Sequence, residues 1–123
     1  MDDSAIGEAF GEVGFTKLVS EFYLRVRTDD VLGPLYPDDD WEGAEKRLRD
    51  FLIYRFGVSD RYIQERGHPR LGMRHASFGI GLAERDRWLE LMRAALDTVE
   101  VSDSVSEDLF SFLTQVAEFL RNR

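Results

Sequence analysis

The chain has 123 residues, of which 43% are apolar and 33% are charged. This composition is typical of a globular domain and excludes a disordered or fibrous chain, so we expect one domain spanning residues 1–123. Cysteine is absent, which excludes disulfides, thiolate metal sites and a cysteine nucleophile. A net charge of −8 disfavours nucleic-acid binding, and no apolar run approaches the roughly 20 residues of a membrane helix. We therefore expect a cytoplasmic protein that binds neither nucleic acid nor membrane.

The charges are distributed unevenly along the chain. Residues 44–93 contain 11 Lys and Arg against 7 Asp and Glu, a net charge of +4, whereas the remainder is acidic. This basic region is either an ordinary solvated surface or a site at which arginine side chains hold a small anionic ligand. The charge pattern alone leaves both interpretations open.

Apolar spacing predicts two helices in the first 30 residues. The first covers about residues 4–12, begins at Ser4 and ends near Gly11 or Gly14. The second ends near residues 28–30, because a glycine and two prolines follow. Its apolar stripe, with helical spacing, consists of Phe15, Leu18, Val19, Phe22, Tyr23 and Val26.

An irregular corner over residues 31–40 leads into a third helix, which ends at Gly57. The acidic run Asp38–Asp40 precedes this helix. Asp39 and Glu42 have the spacing of a capping box, and negative charge is favourable at a helix N-terminus. Helix capping therefore explains the acidic run better than a metal site does.

For the second half of the chain, the sequence predicts a loop over residues 58–68, a short helix from Pro69 and two long helices. The long helices cover about residues 83–99 and 103–121. The whole pattern is all-α, with four long helices and two short ones. The long connection after the third helix differs from an up-and-down bundle and favours a helical sandwich with a group in its middle.

His68 and His75 are the two imidazole side chains of the sequence. A zinc site with two histidines is disfavoured, because His68 precedes Pro69 and no acidic residue stands at a suitable spacing. A single histidine on an apolar helix face is most often a core residue. Its alternative role is as the sole protein ligand of a haem iron, which requires a neutral imidazole in an apolar wall.

Residues 66–78 read RGHPRLGMRHASF. This stretch resembles the proximal segment of the group II truncated haemoglobins, with its HPxLxxRH pattern. Further matches in the same register extend the resemblance over about residues 11–100. They are Phe22-Tyr23, residues 31–39, Gly43 to Leu48, Phe51-Leu52, Glu84 to Leu89 and Met92 to Ala95.

The resemblance implies a truncated globin fold, a sandwich of two helices over two that encloses haem b. It also implies that His75 is the proximal ligand of the iron. The matching positions imply a distal pocket lined by Tyr23, Tyr36, Trp88, Ala44 and Leu48. An indole N–H only donates a hydrogen bond, whereas a phenol hydroxyl donates or accepts, so these aromatic residues suit a ligand that gains negative charge. The alternative for each is a packing role in the core.

The haem propionates are a candidate anionic ligand for the basic region, since they need cationic partners at the mouth of a pocket. We expect Arg47 and Arg74 to supply them. The apolar walls expected for the haem are Leu48, Phe51, Leu52, Leu71, Phe78 and Leu113, which core packing would explain equally well.

Three functions are compatible with these residues. The first is a haem globin that reversibly binds dioxygen, carbon monoxide or nitric oxide, in oxygen transport or sensing. The second is a haem redox enzyme that acts on nitric oxide or peroxide and depends on a separate reductase, because the chain has no glycine-rich nucleotide-binding motif. The third is a haem-free globin-like domain that binds a protein or an apolar ligand. A monomer and a homodimer are equally compatible with the sequence.

Overall fold

The computed structural model describes residues 3–59 and 79–123, and these ranges contain α-helices and no β-strand. The helices are α1 (Asp3–Val26), α2 (Trp41–Arg55), α3 (Leu82–Leu96) and α4 (Asp103–Leu120), with a 3-10 turn at Gly33–Leu35. Helix α1 contacts the other three helices, and α3 also packs on α4. The core therefore surrounds α1, and the all-α prediction is confirmed for the described residues. No helix in these ranges has both the length and the apolar character needed to cross a bilayer.

Helix α1 contains a sharp break at Gly11, where φ is 60° and ψ is −174°. Glycine reaches this region of backbone conformation at little cost, whereas an L side chain does not. Phe10 and Phe15 stack across the break with ring centroids 4.9 Å apart. The predicted boundary near Gly11 is confirmed, but the second segment ends at Val26 rather than at residues 28–30. It ends early because residues 26–29 form a turn, which the Asp29 N–H closes by donating to the Val26 carbonyl at 3.0 Å.

The apolar stripe predicted for α1 forms the centre of the core. Its side chains are buried almost completely, and burial of each large apolar side chain contributes about 1.5–3 kcal/mol. They pack against buried residues from the other three helices, including Leu52, Met92, Leu109 and Leu113. The helical spacing of the sequence therefore identified the face of α1 around which the chain folds.

The first segment of α1 lies directly against the end of α2. A Cβ atom at Gly7 would stand 2.2 Å from the Phe56 carbonyl oxygen, so only a glycine allows this approach. Asp3 and Arg55 add an ion pair of 2.7 Å at the same place. Helix α2 then stops at Gly57, whose φ of 75° makes it a left-handed C-terminal residue, as the sequence predicts.

The start of α2 differs from the prediction. The helix begins at Trp41, its N-cap is Asp40, and no side-chain hydrogen bond caps it. The capping box of Asp39 and Glu42 is therefore wrong. The Asp40 carboxylate instead forms an ion pair of 2.7 Å with Arg47, although its charge still lies at the positive end of the helix dipole.

The ends of α3 and α4 follow local hydrogen bonds. Glu84 accepts a hydrogen bond from the Gly81 N–H at 2.7 Å, and Ser102 caps α4 by accepting from the Val105 N–H at 3.3 Å. Helix α3 ends at Leu96, three residues before the predicted boundary, because the following residues form a turn. The short helix predicted from Pro69 lies outside the described residues, as does most of the predicted loop before it.

We expect Gly7→Ala to lower the free energy of unfolding by about 1–3 kcal/mol, because its methyl group would meet the Phe56 carbonyl. Helix propensity alone would change stability in the opposite direction, since alanine is the better helix former. Chemical denaturation measures the difference, with Glu8→Ala on the exposed side of the same turn as control. Equal stability of the Gly7→Ala and wild-type proteins would contradict the close approach.

Candidate functional site

Aromatic side chains from three helices and the corner between α1 and α2 form one continuous group, which we call the aromatic cluster. It consists of Phe22 and Tyr23 from α1, Tyr36 from the corner, Trp41 from α2 and Trp88 from α3. The ring centroid of Tyr23 lies 5.0 Å from that of Phe22 and 5.6 Å from that of Tyr36, and Phe22 lies 5.1 Å from Trp88. These pairs are edge-to-face, a geometry that aromatic quadrupoles favour. The three polar aromatic residues of the predicted distal pocket therefore meet in one cluster.

The hydroxyl groups of buried Tyr23 and half-buried Tyr36 share a hydrogen bond. Burial raises the pKa of Tyr23 well above the usual range, and the neighbouring Tyr36 raises it further. Burial also raises the pKa of Tyr36, against the opposing effects of the Tyr23 hydrogen bond and the Arg47 charge. Both phenols therefore stay protonated at neutral pH, and since one hydrogen bond uses one hydroxyl proton, the other proton of the pair remains available to another acceptor.

Trp88 supplies a further donor, which joins the aromatic cluster through Phe22. Its side chain is half-buried and packs by its edge against Phe22. Within residues 3–59 and 79–123 its indole N–H has no hydrogen-bond partner. Since an indole N–H can only donate, Trp88 offers an uncommitted donor at the edge of the aromatic cluster.

One face of α2 carries the predicted apolar residues. Ala44 is 5% exposed, and Leu48, one turn later, is half-buried against the core. Phe51 and Leu52 continue this buried face, and Leu113 is buried on α4. This placement agrees both with a wall of a ligand pocket and with simple core packing, so their role toward haem stays a prediction.

Of the two predicted propionate partners, Arg47 lies in the described residues. Its side chain is 46% exposed and pairs with Asp40 at the start of α2. Its positive charge acts to lower the pKa values of both tyrosines, so it lies close to the phenol pair. The other predicted site residues, Leu71, Arg74, His75 and Phe78, lie outside the described residues.

Comparisons with known proteins decide the family. The sequence matches the family described as Bacterial-like globin over residues 5–122. It is 37% identical over 116 residues to the group 2 truncated hemoglobin YjbI of Bacillus subtilis, covering 94% of this chain and 87% of that protein. This chain is a group II truncated haemoglobin.

Solved structures agree with this assignment. The crystal structure of the hemoglobin of Chloroflexus aurantiacus is similar with a TM-score of 0.90 and 41% identity, over 96% of this chain and 98% of that one. The thermostable hemoglobin of Thermobifida fusca gives a TM-score of 0.91 and 44% identity, over 95% and 96% of the two chains. The predicted two-over-two globin fold is thereby confirmed. Membership of the globin family implies that this truncated haemoglobin binds haem and small gaseous ligands.

The predicted distal residues of the truncated haemoglobin, which lie in the described ranges, have side chains of the kinds that a haem and its ligand require. A haem needs apolar contacts on its faces, and Leu48 and Phe51 are apolar side chains of α2 that would suit such contacts. A bound diatomic ligand needs space and hydrogen-bond donors. Ala44 contributes only a small side chain to the buried face of α2, and the donor of Trp88 has no partner among the described residues.

Trp41 also belongs to the aromatic cluster, although the resemblance to truncated haemoglobins does not assign it to the distal pocket. Its ring stacks on that of Tyr36, with centroids 5.1 Å apart and an interplanar angle of 27°. The Arg27 guanidinium lies 5.5 Å from the Trp41 ring centroid, within the range of a cation–π interaction. The sequence pattern that could have predicted this stack is an aromatic residue at the start of α2, directly after the corner that contains Tyr36.

We expect the raised pKa of Tyr23 to make the truncated haemoglobin less stable in alkali. A tyrosine whose folded-state pKa is raised stabilises the fold fully below the unfolded pKa of about 10, and this contribution is lost as pH rises above it. Unfolding free energy measured between neutral pH and the region above pH 10 should therefore decrease. Tyr23→Phe should make the decrease shallower, and an unchanged pH dependence in that variant would contradict the buried phenol.

Proposed function

We propose that the chain, as one globin domain, binds haem b and reversibly binds dioxygen, with carbon monoxide and nitric oxide as further ligands. The observation that carries this proposal is the convergence of three donors from separate segments: the two phenols of Tyr23 and Tyr36 and the indole of Trp88. Core packing alone requires no such concentration of polar aromatic groups. The family membership supports the same function.

We propose His75 as the protein ligand of the iron, with Arg47 and Arg74 as partners of the haem propionates. The apolar contacts to the haem would come from Leu48, Phe51, Leu52, Leu71 and Phe78. Arg47 is suited to this role, because it is exposed and lies close to the phenol pair. Among the described residues its ion-pair partner is the exposed Asp40, which a propionate can replace.

Ferrous haem supplies the iron centre at which a diatomic ligand binds and gains negative charge. The residues of this chain determine how long the ligand stays. The hydrogen bond between Tyr23 and Tyr36 fixes the two hydroxyls relative to each other, and the phenol proton that this bond does not use can be donated to the ligand. Trp88 donates from α3. Each hydrogen bond to a group that carries charge contributes about 1.5–3 kcal/mol, or roughly ten- to a hundred-fold in ligand retention.

We further propose a cytoplasmic location and a role in oxygen binding, transport or sensing. Turnover of nitric oxide or peroxide would require a separate reductase, and no feature of the described residues favours that second function. The haem-free interaction domain is disfavoured, since the family is a haem-binding one and the donors of the distal pocket are retained.

His75→Ala should abolish stable haem binding, because it removes the proposed protein ligand of the iron. The absorption spectrum of the ferric protein, the reduced protein and its carbon monoxide complex measures this, with His68→Ala as the matched control that keeps its Soret band. An unchanged five-coordinate spectrum in His75→Ala would remove His75 as the ligand.

Trp88→Phe should accelerate dioxygen dissociation about ten-fold or more, because the variant keeps an aromatic ring and loses the donor. Stopped-flow replacement of dioxygen by carbon monoxide measures the rate. Phe112→Leu, at a half-buried aromatic residue that packs on Phe56 away from the aromatic cluster, serves as control. A wild-type rate in Trp88→Phe would mean that the phenols alone retain the ligand.

A further inference from the structure

Asp29 forms an ion pair that joins two distant parts of the chain. Its side chain is 7% exposed, and its Oδ1 accepts a hydrogen bond from Arg87 at 2.5 Å, across 58 residues of sequence. Its Oδ2 accepts hydrogen bonds from the backbone N–H groups of Val31 at 3.0 Å and Leu32 at 2.9 Å. The two carboxylate oxygens therefore have different roles. Oδ2 stabilises the corner after α1, and Oδ1 connects this corner to α3.

The strength of this connection comes from Asp29 rather than from its acidic neighbours. Asp30 and Glu90 also approach Arg87, at 3.5 and 3.6 Å, but their side chains are 91% and 71% exposed, so water screens both contacts. Burial alone would raise the pKa of Asp29. The hydrogen bonds from Leu32, Arg87 and Val31 outweigh burial and hold the pKa below its usual value, so the carboxylate is charged at neutral pH.

The two ends of this ion pair lead directly to the proposed ligand donors. The corner that Asp29 shapes continues into the 3-10 turn and then into Tyr36, whose N–H donates to the Gly33 carbonyl at 3.2 Å. Arg87 immediately precedes Trp88 on α3. The corner that holds Tyr36 and the helix that holds the Trp88 indole are thus connected through one carboxylate.

We propose that Asp29 and Arg87 are positioning residues that set the distance between the Tyr36 hydroxyl and the Trp88 indole, and thereby the retention of the ligand. This inference rests on the proposed function, because it assigns the ion pair to the geometry of the same donors. Neither residue needs to touch the ligand. Their effect arises because hydrogen bonds weaken steeply when donor distance or angle changes.

Asp29→Asn separates the two functions of the carboxylate. The asparagine carbonyl can replace Oδ2 and still accept from the backbone, whereas its amide group would face the Arg87 guanidinium, a donor against a donor. Arg87→Gln breaks the pair by removing the positive charge. Arg87→Lys keeps the positive charge but lacks the planar set of guanidinium N–H donors. Arg93→Gln is the matched control, since Arg93 lies on the same helix, is equally exposed and pairs with Glu107 at 2.7 Å.

Two readouts are needed for each variant. The first is the dioxygen dissociation rate of the ferrous protein. The second is the indole N–H resonance of Trp88, recorded by NMR in the carbon monoxide complex and in the haem-free chain. Because the chain has two tryptophans, comparison with Trp41→Phe assigns the resonance. Unfolding free energies from denaturation show how much of any effect is general destabilisation.

We expect Asp29→Asn and Arg87→Gln to move the Trp88 resonance and to accelerate dissociation by about five-fold relative to Arg93→Gln. Arg87→Lys should recover part of both effects, and it provides the test if Arg87→Gln does not fold. Variants that lose stability but match Arg93→Gln in resonance and rate would overturn the proposal and reduce the ion pair to a structural role. If the wild-type chain binds no haem, the proposed function fails, and the resonance in the haem-free chain still decides whether Asp29 and Arg87 position Trp88.

Discussion

The buried hydroxyl of Tyr23 requires a hydrogen-bond partner, and the arrangement around the candidate site follows from this requirement. A phenol at the centre of an apolar helix stripe loses water on folding, and leaving its hydroxyl unpaired would cost about 1–3 kcal/mol. Tyr36 meets this need, so the corner between α1 and α2 must return over the end of α1. Trp41 then stacks on the outer face of Tyr36, and α2 begins at that point.

The parts of the fold that depend on local patterns could be predicted from the sequence. The stripe on α1 has an unbroken helical period, and Gly57 and Ser102 mark helix ends by conformations and hydrogen bonds within a few residues. The tyrosines and Trp88 were assigned to one pocket only through the resemblance to truncated haemoglobins. Periodicity places each of them on an inward face and does not indicate that they meet.

Two kinds of feature could not be predicted from the sequence: contacts between residues far apart in the chain, and the choice of one side chain between several possible partners. Asp29 and Arg87 lie far apart in sequence, and both resemble ordinary surface residues until the corner and α3 are brought together. At the start of α2, the spacing of Asp39 and Glu42 satisfied a local rule. The helix nevertheless starts one residue later, with Asp40 as its N-cap and the Asp40 carboxylate paired with Arg47. Choosing between such partners requires the three-dimensional distances that the sequence does not contain.

The break in α1 at Gly11 restricts the chirality of the residue that can occupy this position rather than the size of its side chain. Within residues 3–59 and 79–123, no atom outside the adjoining backbone lies within 4 Å of the position that a Cβ would occupy there, so a methyl group would meet no obstacle among them. The backbone at φ 60° and ψ −174° is the mirror image of the extended polyproline region, which D-residues adopt easily and L-residues do not. A scan of the genetically encoded amino acids would therefore find Gly11 intolerant although it is free of contacts, whereas a D-alanine introduced by chemical synthesis would fit.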